Sequence, residues 1–248
     1  MSDPLRTAVV TGAGRGFGRA ISAALVAAGT RVVGIARTER DLRAVRDELG
    51  DGFTPVTADA TDESVAQQVV RAHRPGLLVL NAGATPHTAP LHEQTWETFS
   101  RNWHTDTRHA FTWTRAALRQ PLAPGSVVVT LSSGAVLAGS PLSGGYAGAK
   151  ATQRFMTAYA QEEATRAGLD ITFAAVLPQF APMTGVGRPA VQAYAARAGQ
   201  SVEDFLDQRP FPLLSPEVAG AAVADLLQAE AATVAPAYVL NGAGLQAL

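Results

Sequence analysis

Three side chains in the middle of this chain have the types and the spacing needed to move a proton to or from an oxygen atom. Tyr146 and Lys150 are four residues apart, which places them on one face of a helix, and Ser133 lies thirteen residues before Tyr146. Tyrosine is a poor base in water, where its pKa is about 10, but a neighbouring ammonium favours the phenolate. Such a phenol can donate a proton to a carbonyl and accept one from an alcohol. The Ser133 hydroxyl can hydrogen-bond the same oxygen as charge develops on it.

A glycine-rich segment near the start of the chain predicts a site for phosphate groups. Gly12, Gly16 and Gly18 follow a β-branched run and precede a helical pattern. Glycine permits a tight turn there and a close approach of the backbone to a pyrophosphate, whose charge meets the free N–H groups of the helix N-terminus. Because glycines also serve ordinary turns, the strand–turn–helix context carries this interpretation.

Short apolar runs alternate with helical patterns along the chain. Strands are predicted at residues 7–11, 31–35, 53–57, 77–80, 126–131 and 171–177, and helices at 16–28, 39–49 and 63–73. Near-continuous apolar strands between helices favour a parallel sheet that is covered on both faces. Residues 184–212 have no clear strand period, and we interpret them as an irregular segment that closes over a binding site as a lid.

Composition limits the class of protein. The 248 residues carry a net charge of −1 and are 47% hydrophobic, which predicts one globular domain over residues 1–248. The balanced charge argues against a nucleic-acid or membrane surface. With no cysteine, disulfides and thiolate metal sites are excluded, and the five histidines show no metal-ligand pattern. No apolar stretch of about 18 residues predicts a membrane span, and we expect a cytoplasmic protein.

The glycine spacing, Asn81-Ala82-Gly83 after the fourth strand and Tyr146-x₃-Lys150 together resemble the short-chain dehydrogenase/reductase family over nearly the whole chain. The resemblance implies a single-domain, doubly wound Rossmann-type α/β fold, with a seven-stranded parallel sheet and helices on both faces. It also implies a nicotinamide cofactor, a small-molecule carbonyl or alcohol substrate, and a homodimer or homotetramer.

The resemblance assigns roles to further residues. Asp59 matches the aspartate that contacts adenine, although it could instead be an acid near a helix N-terminus. Asn81 matches the residue that steadies the central strand, and Lys150 the residue that holds the nicotinamide ribose. The predicted cofactor contacts are Gly12, Arg15, Gly16, Phe17, Gly18, Arg37, Asp59, Asn81, Ala82, Gly83, Tyr146, Lys150, Pro178 and Thr184.

Two positions depart from the family pattern. Where the family has a catalytic asparagine, the alignment places Asp106, although a shifted alignment would offer Asn102. The predicted catalytic residues are Ser133, Tyr146, Lys150 and Asp106. After Pro178 the family has glycine, whereas this chain has Gln179, and the threonine that contacts the nicotinamide, Thr184, comes one residue late.

The second predicted strand favours NADP(H) over NAD(H). A carboxylate at its end would accept hydrogen bonds from the ribose 2′-hydroxyl and repel a 2′-phosphate, but Ala36 stands there. Arg37 follows it, and Arg15 lies within the glycine turn, so two guanidinium groups could bind the phosphate. Both could also be ordinary solvated arginines.

We therefore expect an NADP(H)-dependent oxidoreductase that acts on a ketone, aldehyde or secondary alcohol. Asp106 and Gln179 motivate an alternative, a dinucleotide-binding sensor or scaffold of the same fold with little turnover. A third alternative is an enzyme that uses the same site for dehydration or epimerisation.

Overall fold

The computed structural model describes residues 7–120, 122–229 and 233–248, which form a sheet with helices packed on both faces. The eight strands of the described residues lie in the order β3-β2-β1-β4-β5-β6-β7-β8. Their bounds are β1 Thr7–Thr11, β2 Arg31–Ala36, β3 Phe53–Thr57, β4 Leu77–Leu80, β5 Ser126–Leu131, β6 Ile171–Pro178, β7 Ala237–Asn241 and β8 Gly244–Ala247. The chain order reverses between β1 and β4, and the carboxyl ends of strands at such a reversal form a binding crevice.

The helices connect the parallel strands and cover the sheet. They are α1 Gly16–Ala27, α2 Glu39–Leu49, α3 Glu63–His73, α4 Trp96–Asn102, α5 Arg108–Arg119, α6 Ala135–Ala138, α7 Gly144–Arg166, α8 Gly187–Ala198, α9 Val202–Asp207 and α10 Pro216–Gln228. One buried apolar cluster joins the sheet to α1, α2 and α10, and a second joins its other face to α3, α5 and α7. The predicted doubly wound α/β fold and the six predicted strands are confirmed, with strand ends within one residue.

The predicted number of seven strands is wrong by one. Seven strands are parallel, and β8 adds an antiparallel edge strand that pairs with β7 through a tight turn, with Asn241 opposite Gly244. Gly244 has φ of +104°, a conformation that favours glycine. The four residues of β8 are half-buried or exposed and carry no apolar run, so their sequence gives no strand signal.

The prediction of an irregular segment at residues 184–212 is also wrong, because α8 and α9 occupy much of it. Five of the twelve residues of α8 are alanine, the residue with the highest helix propensity. Gly199 ends α8 in the left-handed conformation, and the Ser201 hydroxyl accepts a hydrogen bond from the Asp204 N–H, which begins α9. The alanine content of α8 and the Ser201 cap were the helical signals in this segment, and its closure over a binding site as a lid stays a prediction.

One buried histidine makes the stability of this fold depend on pH. His109 in α5 is fully buried. Burial and the positive charge of Lys150 outweigh the opposite effect of Asp59 and lower the pKa of His109 to about 3. The folded protein therefore keeps this imidazole neutral between about pH 3 and 6.5, whereas an unfolded chain protonates it below about pH 6.5.

We expect the free energy of unfolding to fall as the pH is lowered from 6.5 towards 3, by up to about 1.4 kcal/mol per pH unit from this one group. A His109→Gln variant lacks this proton uptake, so the stability difference between wild type and variant should shrink over that range. Denaturant titrations at several pH values measure it. His92→Gln, at a histidine whose side chain is 82% exposed, is the control. If the difference in free energy of unfolding between wild type and His109→Gln does not vary with pH, His109 is not the group that makes stability depend on pH.

Candidate active site

The predicted catalytic residues meet at the carboxyl end of β5. Tyr146 and Lys150 lie in the first two turns of α7, while Ser133 follows β5 by two residues. The N-terminus of α7 packs very closely against α4, since a Cβ atom on Gly145 would lie 1.9 Å from the carbonyl oxygen of Phe99. The Ser132 hydroxyl donates a hydrogen bond of 2.8 Å to the carbonyl of Lys150, which joins the strand end to the helix.

The Lys150 ammonium is buried and held from two sides. Its Nζ donates a hydrogen bond of 2.9 Å to the Leu131 carbonyl and lies 3.5 Å from Oδ2 of Asp106. The same atom lies 5.7 Å from the ring centre of Tyr146. Lys150 is 5% exposed and Asp106 is 1% exposed. A fixed positive charge therefore lies beside the phenol that is the candidate proton donor.

Ser133 is positioned by the turn that follows β5. Its Oγ accepts a hydrogen bond of 3.2 Å from the Ala135 N–H, at the start of α6. Accepting this bond does not use the hydroxyl proton, which can be donated to a substrate oxygen.

Asp106 lies in a π-helical turn, residues 103–107, that separates α4 from α5. Such turns insert an extra residue into a helix and are frequent at functional sites. Oδ1 of Asp106 accepts hydrogen bonds from the Ala84 N–H at 2.8 Å and from the Asn102 amide at 3.3 Å. Gly83 leaves room for the carboxylate, because a Cβ atom there would lie 2.9 Å from Oδ2.

Asp106, not Asn102, is the neighbour of Lys150. The Asn102 amide donates to the Ala84 carbonyl at 2.8 Å and to Asp106, so its role is to support the carboxylate. Within the described residues Oδ2 of Asp106 has no hydrogen-bond partner. A buried carboxylate is costly unless it is paired, and Lys150 supplies the opposite charge.

Sequence reasoning missed the supporting residue Gln153. Its amide nitrogen donates a hydrogen bond of 2.7 Å to the Asp106 backbone carbonyl. Gln153 is buried and lies seven residues after Tyr146, on the same face of α7. A polar residue at helical spacing from Tyr146 and Lys150 was the available signal.

The glycine turn has the shape that a bound pyrophosphate requires. A Cβ atom on Gly18 would lie 2.2 Å from the Gly12 carbonyl oxygen, so strand and helix approach too closely for any side chain there. Gly16 has φ of +54° and open space around its Cβ position. The first turn of α1 has no side-chain cap and no acidic residue, which leaves its N–H groups available to an anion. Phe17 packs partly against the sheet below.

Asn81 joins the ends of β1 and β4 beside this turn. Its amide nitrogen donates to the carbonyls of Thr11 and Gly12 at 3.0 and 3.3 Å, and its backbone N–H donates to the Thr11 hydroxyl at 3.0 Å. The Ala82 N–H donates to the same hydroxyl at 3.2 Å. The predicted steadying role of Asn81 therefore has a direct structural basis.

Charged residues surround the predicted adenosine side of the crevice. Arg15 and Arg37 are exposed, and neither forms a salt bridge with a carboxylate of the described residues. Asp41 also lies near the glycine turn, and the sequence did not single it out. A Cβ atom added to Gly14 would lie 3.1 Å from the Cβ of Asp41. The Asp41 carboxylate pairs with Arg40 at 3.3 Å.

The Asp59 carboxylate takes part in a local turn. It accepts hydrogen bonds from the Thr61 N–H and hydroxyl, both at 2.8 Å. These bonds, the backbone one foremost and with a contribution from the Arg37 charge, hold the pKa of Asp59 below its usual value. The alternative structural role is thus present, and adenine contact stays a prediction.

The residues after β6 also have local partners. The Pro178 carbonyl accepts a hydrogen bond of 2.8 Å from the Gly134 N–H, and the Gln179 side chain lies directly over Gly134. The Thr184 hydroxyl donates to the Ala181 carbonyl and accepts from the Gly187 N–H, both at 2.9 Å. Thr184 therefore stabilises the start of α8, and its contact with a nicotinamide stays a prediction.

In the part of the chain that the structure describes, no group of three or more His, Cys, Asp or Glu side chains could hold a metal ion. None of the helices formed by these residues is both long and apolar enough to cross a membrane.

Comparison with solved structures supports the fold. A serine dehydrogenase in a closed form complexed with NADP⁺ superposes with a TM-score of 0.79 at 18% identity, covering 94% of this chain and 93% of that one. A 3-ketoacyl-(acyl-carrier-protein) reductase from Brucella melitensis complexed with NADH gives a TM-score of 0.77 at 22% identity, covering 95% and 96%.

Sequence comparison extends this result to the family. D-erythrulose reductase of Gallus gallus is 34% identical over 130 residues, which are 52% of this chain and 52% of that protein. The chain spans about half the length of the first curated relatives it matches. A probable NADP-dependent dehydrogenase of Haemophilus influenzae is 30% identical over 214 residues, 82% of each chain. The model of the short chain dehydrogenase family matches residues 6–194, which include the glycine turn, Asp106, Ser133, Tyr146 and Lys150, and the chain therefore belongs to the short chain dehydrogenase family.

Proposed function

We propose that this chain is an NADP(H)-dependent oxidoreductase that transfers a hydride between a nicotinamide and a ketone, aldehyde or secondary alcohol. The observation that carries the proposal is the buried Lys150 ammonium beside the Tyr146 ring, with the Ser133 hydroxyl at the end of the adjacent strand. The relatives are named as reductases and dehydrogenases, which is in keeping with this chemistry.

The residues present fit the cofactor. Gly12, Gly16 and Gly18 together with the uncapped start of α1 would hold the pyrophosphate, and Arg15 and Phe17 flank them. The other proposed contacts are Asp59 at the adenine, the Asn81-Ala82-Gly83 turn at the adenosine side, Tyr146 and Lys150 at the nicotinamide ribose, and Pro178 and Thr184 at the nicotinamide. When bound, the nicotinamide supplies or accepts the hydride.

The proton in this proposal moves through the protein. During carbonyl reduction Tyr146 donates its phenolic proton to the substrate oxygen, and during alcohol oxidation its phenolate accepts that proton. Ser133 hydrogen-bonds the same oxygen and stabilises the charge that develops on it. Lys150 stabilises the phenolate by its positive charge, and Asp106 holds Lys150 in place.

The proposed preference for NADP(H) rests on Arg15 and Arg37, which have no salt-bridge partner in the described residues and could bind a 2′-phosphate bidentately. The Haemophilus influenzae relative is named as NADP-dependent. Asp41 lies near the same turn, and its pairing with Arg40 reduces the repulsion that it would exert on a phosphate. NAD(H) is the alternative cofactor.

The second candidate is a dinucleotide-binding sensor of the same fold that turns over slowly. The carboxylate of Asp106 in the place of the family's asparagine favours it, because an ionised carboxylate accepts hydrogen bonds but cannot donate them. Binding of NADPH without oxidation of the cofactor over a broad panel of carbonyl compounds would support the sensor.

We also propose that the chain forms a homodimer or homotetramer in the cytoplasm. Neighbouring faces of α5 and α7 expose large apolar side chains, Phe111 on the first and the stacked Phe155 and Tyr159 on the second, and Trp103 is exposed in the π-helical turn. Burial of these rings against a second copy would remove the apolar surface from water. The mass of the protein in solution measures its oligomeric state, and the mass of a single chain would contradict the proposed oligomer.

Tyr146→Phe should lower kcat by at least about two orders of magnitude, because it removes the proposed proton donor, which contributes 10²–10⁴-fold in general acid–base catalysis. The Kd for NADPH should change little. The measurement is NADPH oxidation against a panel of ketones and aldehydes. Tyr238→Phe is the control, since its hydroxyl binds the Ala235 N–H. Turnover by Tyr146→Phe near that of wild type would refute the proposed role of this residue.

Arg37→Asp should raise the Kd for NADPH at least about tenfold while changing that for NADH much less, since a charge-assisted hydrogen bond contributes about 1.5–3 kcal/mol. Arg166→Asp is the control, because it changes the charge by the same amount at an arginine whose side chain is 77% exposed, at the opposite end of α7 from Tyr146. A wild-type protein that already binds NADH more tightly than NADPH would overturn the argument from the arginines.

A further inference from the structure

A tyrosine in the 184–212 segment is hydrogen-bonded to the loop that joins the two proposed catalytic hydroxyl groups. Tyr194 lies in α8 and is half-buried. Its hydroxyl lies 2.6 Å from the Ser140 hydroxyl and accepts a hydrogen bond of 3.1 Å from the Leu142 N–H. Both partners are more than fifty residues away in sequence, so the contact joins two separate parts of the fold.

The bonded segment, residues 134–143, runs from Ser133 to the start of the helix that carries Tyr146. It contains the short helix α6 and is called the 134–143 loop here. The Ser140 hydroxyl also lies 2.6 Å from the Ser143 hydroxyl, and Ser143 immediately precedes α7. Ser143 makes no side-chain cap for α7, so its hydroxyl is directed to Ser140. A chain of three hydroxyl groups thus leads from Tyr194 to a residue three positions before Tyr146.

The same loop is also bonded to the segment after β4. The Leu142 carbonyl accepts a hydrogen bond of 2.9 Å from the Ala89 N–H, while its N–H binds Tyr194. Leu142 therefore contacts the segment after β4 through its carbonyl and α8 through its N–H. A change at the Tyr194 hydroxyl would be transmitted to both.

The contacts that hold α9 do not involve the Tyr194 hydroxyl. Phe180, just after β6, has φ of +27°, and the Arg209 guanidinium lies 4.8 Å from its ring centre and 4.2 Å from that of Phe205. Arg209 Nε also donates to the Phe205 carbonyl at 3.1 Å. With α9 held in this way, removal of the Tyr194 hydroxyl would release the loop contact without unfolding the segment.

We propose that Tyr194 is a positioning residue whose hydroxyl, through Ser140, Leu142 and Ser143, fixes the 134–143 loop and the start of α7 so that Ser133 and Tyr146 face one substrate oxygen. This deepens the proposed oxidoreductase function and rests on it. The contact of α8 with the 134–143 loop and the alignment of Ser133 with Tyr146 are then coupled, because both depend on the hydroxyl groups of Tyr194, Ser140 and Ser143.

The first test is hydrogen exchange of wild type and Tyr194→Phe, because it needs no substrate. Tyr194→Phe keeps the ring in the apolar cluster of α8 and α9 and removes only the hydroxyl. We expect faster exchange in residues 140–147 and 187–198, with unchanged exchange in β1 to β5. Tyr238→Phe should leave both segments unchanged. Unaltered exchange at residues 140–147 in Tyr194→Phe would overturn the proposal.

The second test separates positioning from a loss of overall structure. Tyr194→Phe and Ser140→Ala should each lower kcat on a reducible carbonyl about tenfold without changing the Kd for NADPH, and the double variant should lose no more than one of them, since both break the same chain. Ser140→Thr, which keeps a hydroxyl, should retain most of the activity. Fully additive losses, or a rise in KM alone with kcat unchanged, would contradict the proposal.

The two tests also distinguish failure of this proposal from failure of the proposed function. If none of the carbonyl compounds tested supports NADPH oxidation by the wild-type protein, the proposed oxidoreductase function is contradicted. The hydrogen-exchange result then stands by itself. An active wild type with identical exchange and kcat in Tyr194→Phe contradicts only the role of Tyr194.

Discussion

The buried contact between Lys150 and Asp106 is the constraint on which the candidate site depends. Removing an ammonium and a carboxylate from water costs several kcal/mol per ion, and this is repaid only by close pairing and further hydrogen bonds. Here the Leu131 carbonyl binds the ammonium, while the Ala84 N–H and the Asn102 amide bind the carboxylate. Loss of the Lys150 charge would leave the carboxylate buried without an opposite charge, whereas replacement of Asp106 by asparagine would leave Lys150 its hydrogen bond to the Leu131 carbonyl.

This pair explains several features of the surrounding backbone. The π-helical turn at residues 103–107 places Asp106 against the site, and Gln153 binds the backbone of that turn. Gly83 leaves space for the carboxylate, and Gly145 lets α7 approach α4 closely enough for Lys150 to meet it. The charged pair, the helix irregularity and the two glycines therefore form one structural unit.

The sequence predicts well where its signals are local. Buried parallel strands appear as apolar runs, and the spacing of Tyr146, Lys150 and the glycines follows from helix and turn geometry. The sequence predicts poorly where a structure depends on a partner that is distant in sequence or on hydrogen bonds between side chains. The short edge strand β8 exists because β7 offers a partner, and Asp59 and Thr184 have local hydrogen bonds that no spacing indicates. Between Asp106 and Asn102 the alignment already prefers Asp106, which the structure places in a π-helical turn, 3.5 Å from Lys150.

The carboxylate at position 106 also has a chemical consequence for the proposed reaction. Its negative charge opposes the positive charge by which Lys150 favours the phenolate of Tyr146. Asparagine at the same place could still accept the hydrogen bond from the Ala84 N–H, and it would remove that opposition. The charge of Asp106 should therefore affect the pH dependence of the proposed reaction.

The pH dependence of kcat for alcohol oxidation in Asp106→Asn tests this account most directly. Oxidation requires the phenolate, so the account predicts that the rising limb of the profile moves to lower pH in the variant. Glu97→Gln, at an exposed acid in the first turn of α4, should leave the profile in place. A profile of Asp106→Asn that coincides with that of wild type, or one that moves to higher pH, would contradict the central role of the Lys150 and Asp106 pair.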